Sequence, residues 1–167
     1  MNPLRWPFRS AFAFAAFLCA VFLGFAWYAQ FRMHLEPCPL CVLQRVALIA
    51  LFVIFVAAAI HAPGPRGRRA WGTLGFLGAL AGAGVAGRHV WLQHLPPEKV
   101  PDCGPGLEYM LDAFPLSKAL NMVFAGSGEC AKVDWRFLGL SMPEWTLAWF
   151  AIFALGSLWY GYRRYAA

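Results

Sequence analysis

The sequence predicts an all-α membrane protein, a four-transmembrane-helix bundle that forms a single integral membrane domain over residues 1–167. Apolar residues make up 60% of the chain and charged residues 13%, and the mean hydropathy is +0.55. These values lie well outside the usual balance of soluble domains. The apolar residues form stretches that each approach the ~20 residues needed to cross hydrocarbon, at about 11–29, 43–61, 71–91 and 144–162.

The charges are distributed unevenly between the predicted connections. All eight acidic residues lie in or beside the first and third connections: Glu36, Glu98, Asp102, Glu108, Asp112, Glu129, Asp134 and Glu144. The tails and the second connection instead carry arginines close to the span ends: Arg5, Arg9, Arg66, Arg68, Arg69, Arg163 and Arg164. The positive-inside rule therefore places both termini and the loop at about 62–70 in the cytoplasm, and the loops at about 30–42 and 92–143 outside.

This charge pattern also bears on the partners of the protein. Because the arginines lie at span ends, the net charge of +6 indicates lipid headgroups rather than nucleic acid as counterions. A cleavable signal peptide is the alternative for the first span, but its apolar run is long and residues 26–34 offer a poor cleavage site. In the third span, Gly78 and Gly82 are spaced for close packing between membrane helices.

The third connection, at about 92–143, is the only sizeable segment predicted outside the membrane. It could bury little core by itself, so we expect a cross-link to help to hold it. Apolar residues recur within 107–124 at approximately helical spacing, which predicts a short interfacial helix on the membrane surface. The alternative is an ordinary helix that caps the bundle.

The first pair of cysteines, in Cys38-Pro39-Leu40-Cys41, directly precedes the second span. Pro39 suits the first position of a helix, and cysteines three apart at a helix start face the same way, where the helix dipole favours a thiolate. A haem attachment site would require histidine in place of Val42. A zinc site would have to recruit Cys103 and Cys130, whose spacing and oxidising surroundings disfavour it. We therefore predict a reversible dithiol and no metal.

The second pair of cysteines, Cys103 and Cys130, lies in polar, glycine-containing surroundings of the third connection, where we expect both to be exposed. A purely structural disulfide here would contribute roughly 3 to 4 kcal/mol through loop closure. A second dithiol on the same side of the membrane also makes thiol exchange between the pairs chemically accessible. The fifth cysteine, Cys19, lies in the middle of the first span, where a thiol behaves as a small buried hydrophobe.

Polar residues next to these cysteines are candidates for a binding site. Arg45 follows Cys41 by one helical turn and could stabilise an anion there, or it could extend to the lipid headgroups. His89 and Gln93 lie on one face at the end of the third span, where they could hydrogen-bond a bound carbonyl or anchor the interface beside Trp91.

Taken together, these motifs resemble the bacterial disulfide bond formation protein B (DsbB) family. The resemblance covers nearly the whole chain: the four spans, the Pro-Cys-x-x-Cys motif at the second span, and the Gly-Glu-Cys-Ala sequence ahead of the stretch from Asp134 to Pro143. The proline inside the first pair, Pro39, is a departure from the family pattern that stiffens the turn.

The resemblance implies the function of a quinone-dependent thiol oxidase of the bacterial inner membrane. It implies that reduced DsbA-like protein attacks a Cys103–Cys130 disulfide, that Cys38 and Cys41 reoxidise this pair, and that a quinone (ubiquinone or menaquinone) reoxidises Cys38 and Cys41. Arg45 matches the family's arginine beside the quinone, and the pair His89 and Gln93 resembles residues near the quinone pocket. We expect a monomer with both termini in the cytoplasm and its redox cysteines in the periplasm.

Two other functions compete with this one. A non-catalytic membrane scaffold could have a loop stapled by disulfides, although a Cys-x-x-Cys pair closes too small a loop to staple much. A thiol reductase that passes electrons outward would use the same cysteines, because spacing does not encode the direction of electron flow.

Overall fold

The structure, a computed structural model, describes residues 7–61, 64–101, 107–133 and 135–163. In chain order its helices are α1 (Phe8–Arg32), α2 (Pro39–His61), α3 (Pro65–Gln93), α4 (Leu107–Ala113), α5 (Leu116–Ala125), α6 (Gly128–Ala131) and α7 (Met142–Tyr162). A 3₁₀ turn at Pro97–Lys99 follows α3, and a hairpin of β1 (Arg136–Phe137) and β2 (Leu140–Ser141) precedes α7.

Each predicted span lies inside one of the long helices. Helices α1, α2 and α3 are long and apolar enough to cross a membrane. Helix α7 has 21 residues, but its tryptophans, tyrosines and glycines lower its hydropathy, and its role as the fourth span stays a prediction. The predicted loop at 62–70 is shorter than expected, because α3 already begins at Pro65, a residue suited to a first helical turn.

The long helices form one bundle in which α3 packs along α7 and α2, while α1 packs against α2 and touches α7. Aromatic rings fill its centre: the ring of Phe55 lies 5.5 Å from that of Phe12 and 5.6 Å from that of Phe153, both edge-on. Cys19 is fully buried in the same core, which confirms its predicted role as a small buried hydrophobe.

Glycines allow α3 to approach its neighbours closely. A Cβ added at Gly72 would lie 2.7 Å from the Cα of Gly161, so the backbones of α3 and α7 touch there. Gly78 faces side chains of α2, whereas Gly82 faces the ring of Phe150 on α7. The pair predicted to share one packing face therefore serves two different helices.

The single helix predicted over 107–124 is wrong in one respect, because the structure divides it into α4 and α5. Pro115 lies between them with an extended backbone (φ −55°, ψ 144°). Proline supplies no N–H to a preceding turn and disfavours helical geometry in the residue before it, so the helix cannot run through this position.

Helices α4 and α5 cover the end of the bundle at which α2 begins, which we call the cysteine end. Met110 and Val123 are buried there in a second small core with Cys38, Leu92 and Cys130, as the alternative of a capping helix requires. Other apolar side chains of the two helices are exposed: Tyr109, Leu116, Leu120 and Phe124. Contact of this exposed stripe with a membrane surface stays a prediction.

The β-hairpin is a small addition to the predicted all-α class. Arg136 pairs with Ser141 and Phe137 with Leu140, and both turn residues have positive φ, as two-residue hairpin turns favour. The indole of Trp145 donates to the Phe137 carbonyl at 3.0 Å. This contact fixes the hairpin to α7 at the cysteine end.

Candidate active site

The Cys-x-x-Cys pair lies at the start of α2, as the sequence predicts. Pro39 is the first helical residue, and the Val42 amide donates to the Cys38 carbonyl at 3.1 Å, which closes the first turn. The Cys38 and Cys41 sulfurs are 3.2 Å apart. Cys38 is buried and Cys41 half-buried, so the two thiols of one pair have different surroundings.

Cys130 is buried, and the expectation that it is exposed is wrong. The short helix α6, which begins after Ser127, packs the Cys130 side chain into a small core with Cys38 and Leu92. Glu129 and Lys132 are exposed, whereas the Ser127 hydroxyl is buried 3.7 Å from the Cys130 sulfur.

The Cys38 thiol and burial together raise the pKa of the Cys130 thiol, which favours its protonated form. Because only the thiolate is a nucleophile, Cys130 must lose this proton before it can attack a disulfide. Cys103, its predicted partner, lies outside the described residues.

His89 joins α2, α3 and the Cys130 segment in one buried network. Its Nε2 lies 3.0 Å from the Cys130 carbonyl oxygen, and its Nδ1 lies 3.0 Å from Gln44 Nε2. Because a carbonyl oxygen can only accept, Nε2 must carry the proton, and Nδ1 accepts from the Gln44 amide. His89 is therefore no surface anchor, and the interface alternative does not hold for it.

Gln44 is a residue that the sequence analysis missed. It is 5% exposed and occupies the face of α2 that also carries Cys41. A polar side chain within a predicted span is expensive unless it has a partner and a task. That signal was present in the sequence and could have identified Gln44.

The sulfur and imidazole atoms of this cluster are close enough to suggest a metal site. The ligand atoms of Cys38, Cys41 and His89 lie within 4.8 Å of one another. However, Cys38 Sγ approaches Nε2 at 3.8 Å and Cys41 Sγ approaches Nδ1 at 4.0 Å. The sulfurs thus face different ring nitrogens, and both nitrogens already have hydrogen-bond partners, so a metal would require the ring to reorient.

Arg45 lies one helical turn after Cys41 on α2 and contacts α1. Its guanidinium donates to the side-chain oxygen of Gln30 and, at 3.0 Å, to the Ala26 carbonyl. These contacts hold the half-buried Arg45 guanidinium near the end of α1, so that it does not extend to the lipid headgroups. Its charge therefore stays within the site.

Gln93 lies one turn beyond His89 and is tied to the start of α7. Its side-chain oxygen accepts from the Ser141 hydroxyl at 2.7 Å, which leaves the amide N–H groups as the donors that Gln93 can offer to a ligand. Ser141 and Glu144 form a capping box at the start of α7. The Ser-x-x-Glu spacing is a known sequence signature of a helix start and could have identified Ser141.

One cavity connects these residues. It measures about 950 Å³ and lies between α1, α2 and α7, with a largely apolar wall that includes Phe22, Phe25, Leu48 and Trp149. Its polar lining includes Cys38, Cys41, Gln44, Arg45, His89 and Gln93, together with Glu36, Glu129 and Lys132 from the connecting segments at the cysteine end. An apolar cavity with a few convergent polar groups is the usual form of a small-molecule site.

The segment that carries Cys130 fits closely on α3 at Gly126. This glycine has φ +85°, and an added Cβ would lie 2.3 Å from Cδ1 of the fully buried Leu92. We expect the Gly126→Ala side chain to push the Cys130 segment away from α3 and to destabilise its packed position by over ~1.4 kcal/mol. In the reduced protein, Cys130 should then react with a maleimide at least about tenfold faster. Mass spectrometry of labelled peptides measures this rate.

Gly139→Ala is the matched control for this prediction. Gly139 has φ +83°, but no atom lies within 4 Å of its added Cβ, so the substitution also places an alanine at positive φ but without the collision. Equal labelling rates of Cys130 in both variants would contradict a close fit at Gly126.

The fold and the site together define a class: a helical membrane protein whose Cys-x-x-Cys pair lies between an apolar cavity and a third cysteine. The chain matches the family model for disulfide bond formation protein DsbB over residues 8–160. It is 53% identical over 156 residues to disulfide bond formation protein B of Nitrosococcus oceani, covering 93% of this chain and 90% of the relative.

Two further relatives carry the same description. The protein from Methylococcus capsulatus is 54% identical over 142 residues, which cover 85% of this chain and 87% of the relative. The protein from Chromobacterium violaceum is 47% identical over 156 residues, which cover 93% and 94%. The chain therefore belongs to the DsbB family.

Proposed function

We propose that this protein reoxidises a DsbA-like dithiol protein in the bacterial periplasm by disulfide exchange and passes the electrons to a quinone in the inner membrane. One observation carries the proposal: the Cys38 sulfur contacts both Cys41 and Cys130, and the Cys38–Cys41 pair lines the apolar cavity. A third cysteine in contact with a dithiol that borders an apolar cavity suits electron transfer from a soluble dithiol partner to a lipid-soluble acceptor. Membership of the DsbB family supports the same direction.

The positions of the sulfurs suggest the order of internal exchange. Reduction of a Cys103–Cys130 disulfide by the partner leaves Cys130 as a thiol. After losing its proton, Cys130 attacks Cys38, forms the Cys38–Cys130 bond and breaks the Cys38–Cys41 bond, with Cys41 leaving as a thiolate. Attack by Cys103 on Cys130 then restores the Cys103–Cys130 disulfide and releases Cys38 as a thiol, so one electron pair has moved to the first pair.

The cavity residues fit a quinone by their chemistry. The apolar wall suits a ring and the start of an isoprenoid tail, while the Arg45 guanidinium and the Gln93 amide would hold the carbonyl oxygens. A bound quinone supplies an acceptor for two electrons and two protons. Arg45 would also lower the cost of a Cys41 thiolate in these largely apolar surroundings.

A coupled assay tests the proposed function. Purified protein is mixed with a reduced DsbA-like partner and a soluble quinone, and quinone absorbance is followed. We expect quinone loss that requires both the protein and the dithiol partner. Partner oxidation at the same rate without quinone would contradict the proposal, and reduction of oxidised partner by quinol as the favoured direction would indicate the reductase instead.

Replacing Arg45 tests its role in the cavity. Arg45→Met keeps an apolar stem but removes the charge and the donors, so we expect the apparent KM for quinone to rise about tenfold or more, as for the loss of one charged hydrogen bond. The KM for the dithiol partner should not change. Arg32→Met removes an equal charge from an exposed position at the end of α1, and an equal KM rise in that control would contradict a local role for Arg45.

The proposed location follows from charge and helix length. With the arginine-rich segments in the cytoplasm, the cysteine end of the bundle faces the periplasm and α7 crosses the membrane as the fourth span. The exposed stripe of α4 and α5 rests on the membrane surface. Labelling of single cysteines added at each end of α7, by a reagent that does not cross membranes, tests this arrangement.

A further inference from the structure

Arg88 lies immediately before His89 on α3, at the end of the bundle where the positive-inside rule does not favour arginine. Its Nε donates to the Phe124 carbonyl at 3.0 Å and its Nη2 to the Ala125 carbonyl at 2.9 Å. The guanidinium also lies 4.3 Å from the ring centre of Trp91, which orients it by a cation–π contact.

These two carbonyls belong to the last turn of α5, which ends at Ala125. The final four carbonyls of a helix have no partner within it. In α5, the Gly126 amide reaches the carbonyls of Met122 and Val123, and Arg88 reaches the remaining two. A cation at this position also complements the negative end of the helix dipole. Arg88 thus completes the cap of a helix that lies elsewhere in the sequence.

The capped turn leads directly into the segment that carries Cys130. Gly126 packs on Leu92, one helical turn beyond Arg88, and the Cys130 carbonyl accepts from His89. Three residues near the end of α3, Arg88, His89 and Leu92, therefore contact the segment 124–130. Arg88 is the least buried of them and binds only backbone atoms of the segment, so these contacts do not depend on whether Cys130 is a thiol or part of a disulfide.

We propose that Arg88 is a positioning residue for internal disulfide exchange: by capping α5 it holds Cys130 against Cys38. The inference rests on the proposed function only in taking exchange between these two cysteines as a step of turnover. Arg88 contacts neither sulfur, and its effect passes through the backbone of the 124–130 segment.

The closeness of Cys38 and Cys130 can be measured without quinone or partner protein. In a Cys41→Ser, Cys103→Ser background, the Cys38 and Cys130 thiols are equilibrated with reduced and oxidised glutathione. Glutathione disulfide takes up both electrons and both protons, so one Cys38–Cys130 disulfide and two reduced glutathiones are formed. The equilibrium ratio, determined by mass spectrometry, reports the effective concentration of one thiol near the other. We expect Arg88→Gln to lower it about tenfold, the loss of roughly one charged hydrogen bond.

Arg9→Gln is the matched control, because Arg9 also donates from Nε to a backbone carbonyl, that of Ala59, at the opposite end of the bundle. We expect it to leave the ratio unchanged. Arg88→Lys keeps the charge and an N–H donor group but loses the planar fork that reaches both carbonyls, so it should lower the ratio only about threefold, a partial rescue that loss of packing would not give. An unchanged ratio in both Arg88 variants, or an equal fall in Arg9→Gln, would overturn the proposal.

The two proposals can fail separately. Absence of quinone-coupled turnover in the four-cysteine protein would refute the proposed function but leave the glutathione ratio and its dependence on Arg88 intact. If turnover is present, Arg88→Gln should lower kcat without changing the KM for quinone. A change confined to that KM would assign Arg88 to the cavity instead.

Discussion

Turnover of quinone by the reduced partner is expected to fall by roughly 10³-fold or more in Cys38→Ser, because serine is not a nucleophile in disulfide exchange at neutral pH. Cys38 is the sulfur that both Cys41 and Cys130 approach. Its loss therefore removes the internal exchange and the dithiol beside the cavity together. Quinone absorbance measures the effect.

Cys41→Ser should be equally inactive in turnover but differ in the species that accumulates. The remaining Cys38 thiolate can attack Cys130 of the Cys103–Cys130 disulfide, which breaks that bond and releases Cys103 as a thiol, so non-reducing peptide mapping should find a Cys38–Cys130 disulfide in that variant. Cys38→Ser should not accumulate the corresponding Cys41–Cys130 bond, because Cys130 packs against Cys38. Turnover by Cys41→Ser near the wild-type rate, or pairing of Cys130 with Cys41 in Cys38→Ser, would contradict the proposed order.

Cys19→Ala is the control for loss of a thiol in general. Cys19 is buried among the aromatic and aliphatic side chains of the bundle core, away from the cysteine end. We expect this variant to retain turnover and the Cys38–Cys130 exchange, with a modest loss of stability from the small cavity that it leaves.

Gly72→Val should prevent normal assembly of the bundle. An added Cβ would lie 2.7 Å from both the Gly161 Cα and the Ser157 carbonyl oxygen, and neither backbone atom can move without separating α3 from α7. We expect a loss of about 3 kcal/mol or more in the free energy of unfolding, at the upper end of overpacking effects because the contact is between backbones. Unfolding in mixed micelles with increasing SDS measures it.

Gly84→Val supplies the comparison on the same helix, since no atom lies within 4 Å of a Cβ added at Gly84. Both variants replace glycine by valine within α3, so the change in helix propensity is the same in both. Only the collision with α7 differs between them. Equal stability of the two variants would show that α3 and α7 do not meet at Gly72. Because α3 carries Arg88, His89 and Gln93, we also expect Gly72→Val to lose quinone turnover.

Much of this fold could be predicted from local signals. Long apolar runs demand helices, since backbone groups in hydrocarbon must be satisfied within the segment, and the predicted spans lie inside α1, α2, α3 and α7. Pro39 marked the start of α2 and thereby the shared orientation of Cys38 and Cys41. The division of the 107–124 helix at Pro115 was also readable, because proline acts on its immediate neighbours.

The burial of Cys130 could not be predicted in this way. Its neighbours in sequence are polar and indicate a surface loop, whereas Leu92, Met110 and Val123, which bury it, come from three other segments of the chain. The contacts of Arg88 with the end of α5 and of His89 with the Cys130 carbonyl likewise join segments over 35 residues apart. The acceptors in these contacts are backbone carbonyls, which every residue has, so the sequence does not show which of them are used.

The sequence by itself determined that this is a helical membrane protein with a Cys-x-x-Cys pair at the start of a span, because hydrophobic length and helix-start chemistry are local properties. Only the tertiary structure decided which sulfur of that pair meets Cys130, that Gln44 orients His89, and that Arg88 caps a distant helix. These contacts depend on how α3 packs against α2 and α5, and packing is decided by the shape of whole surfaces rather than by any one motif.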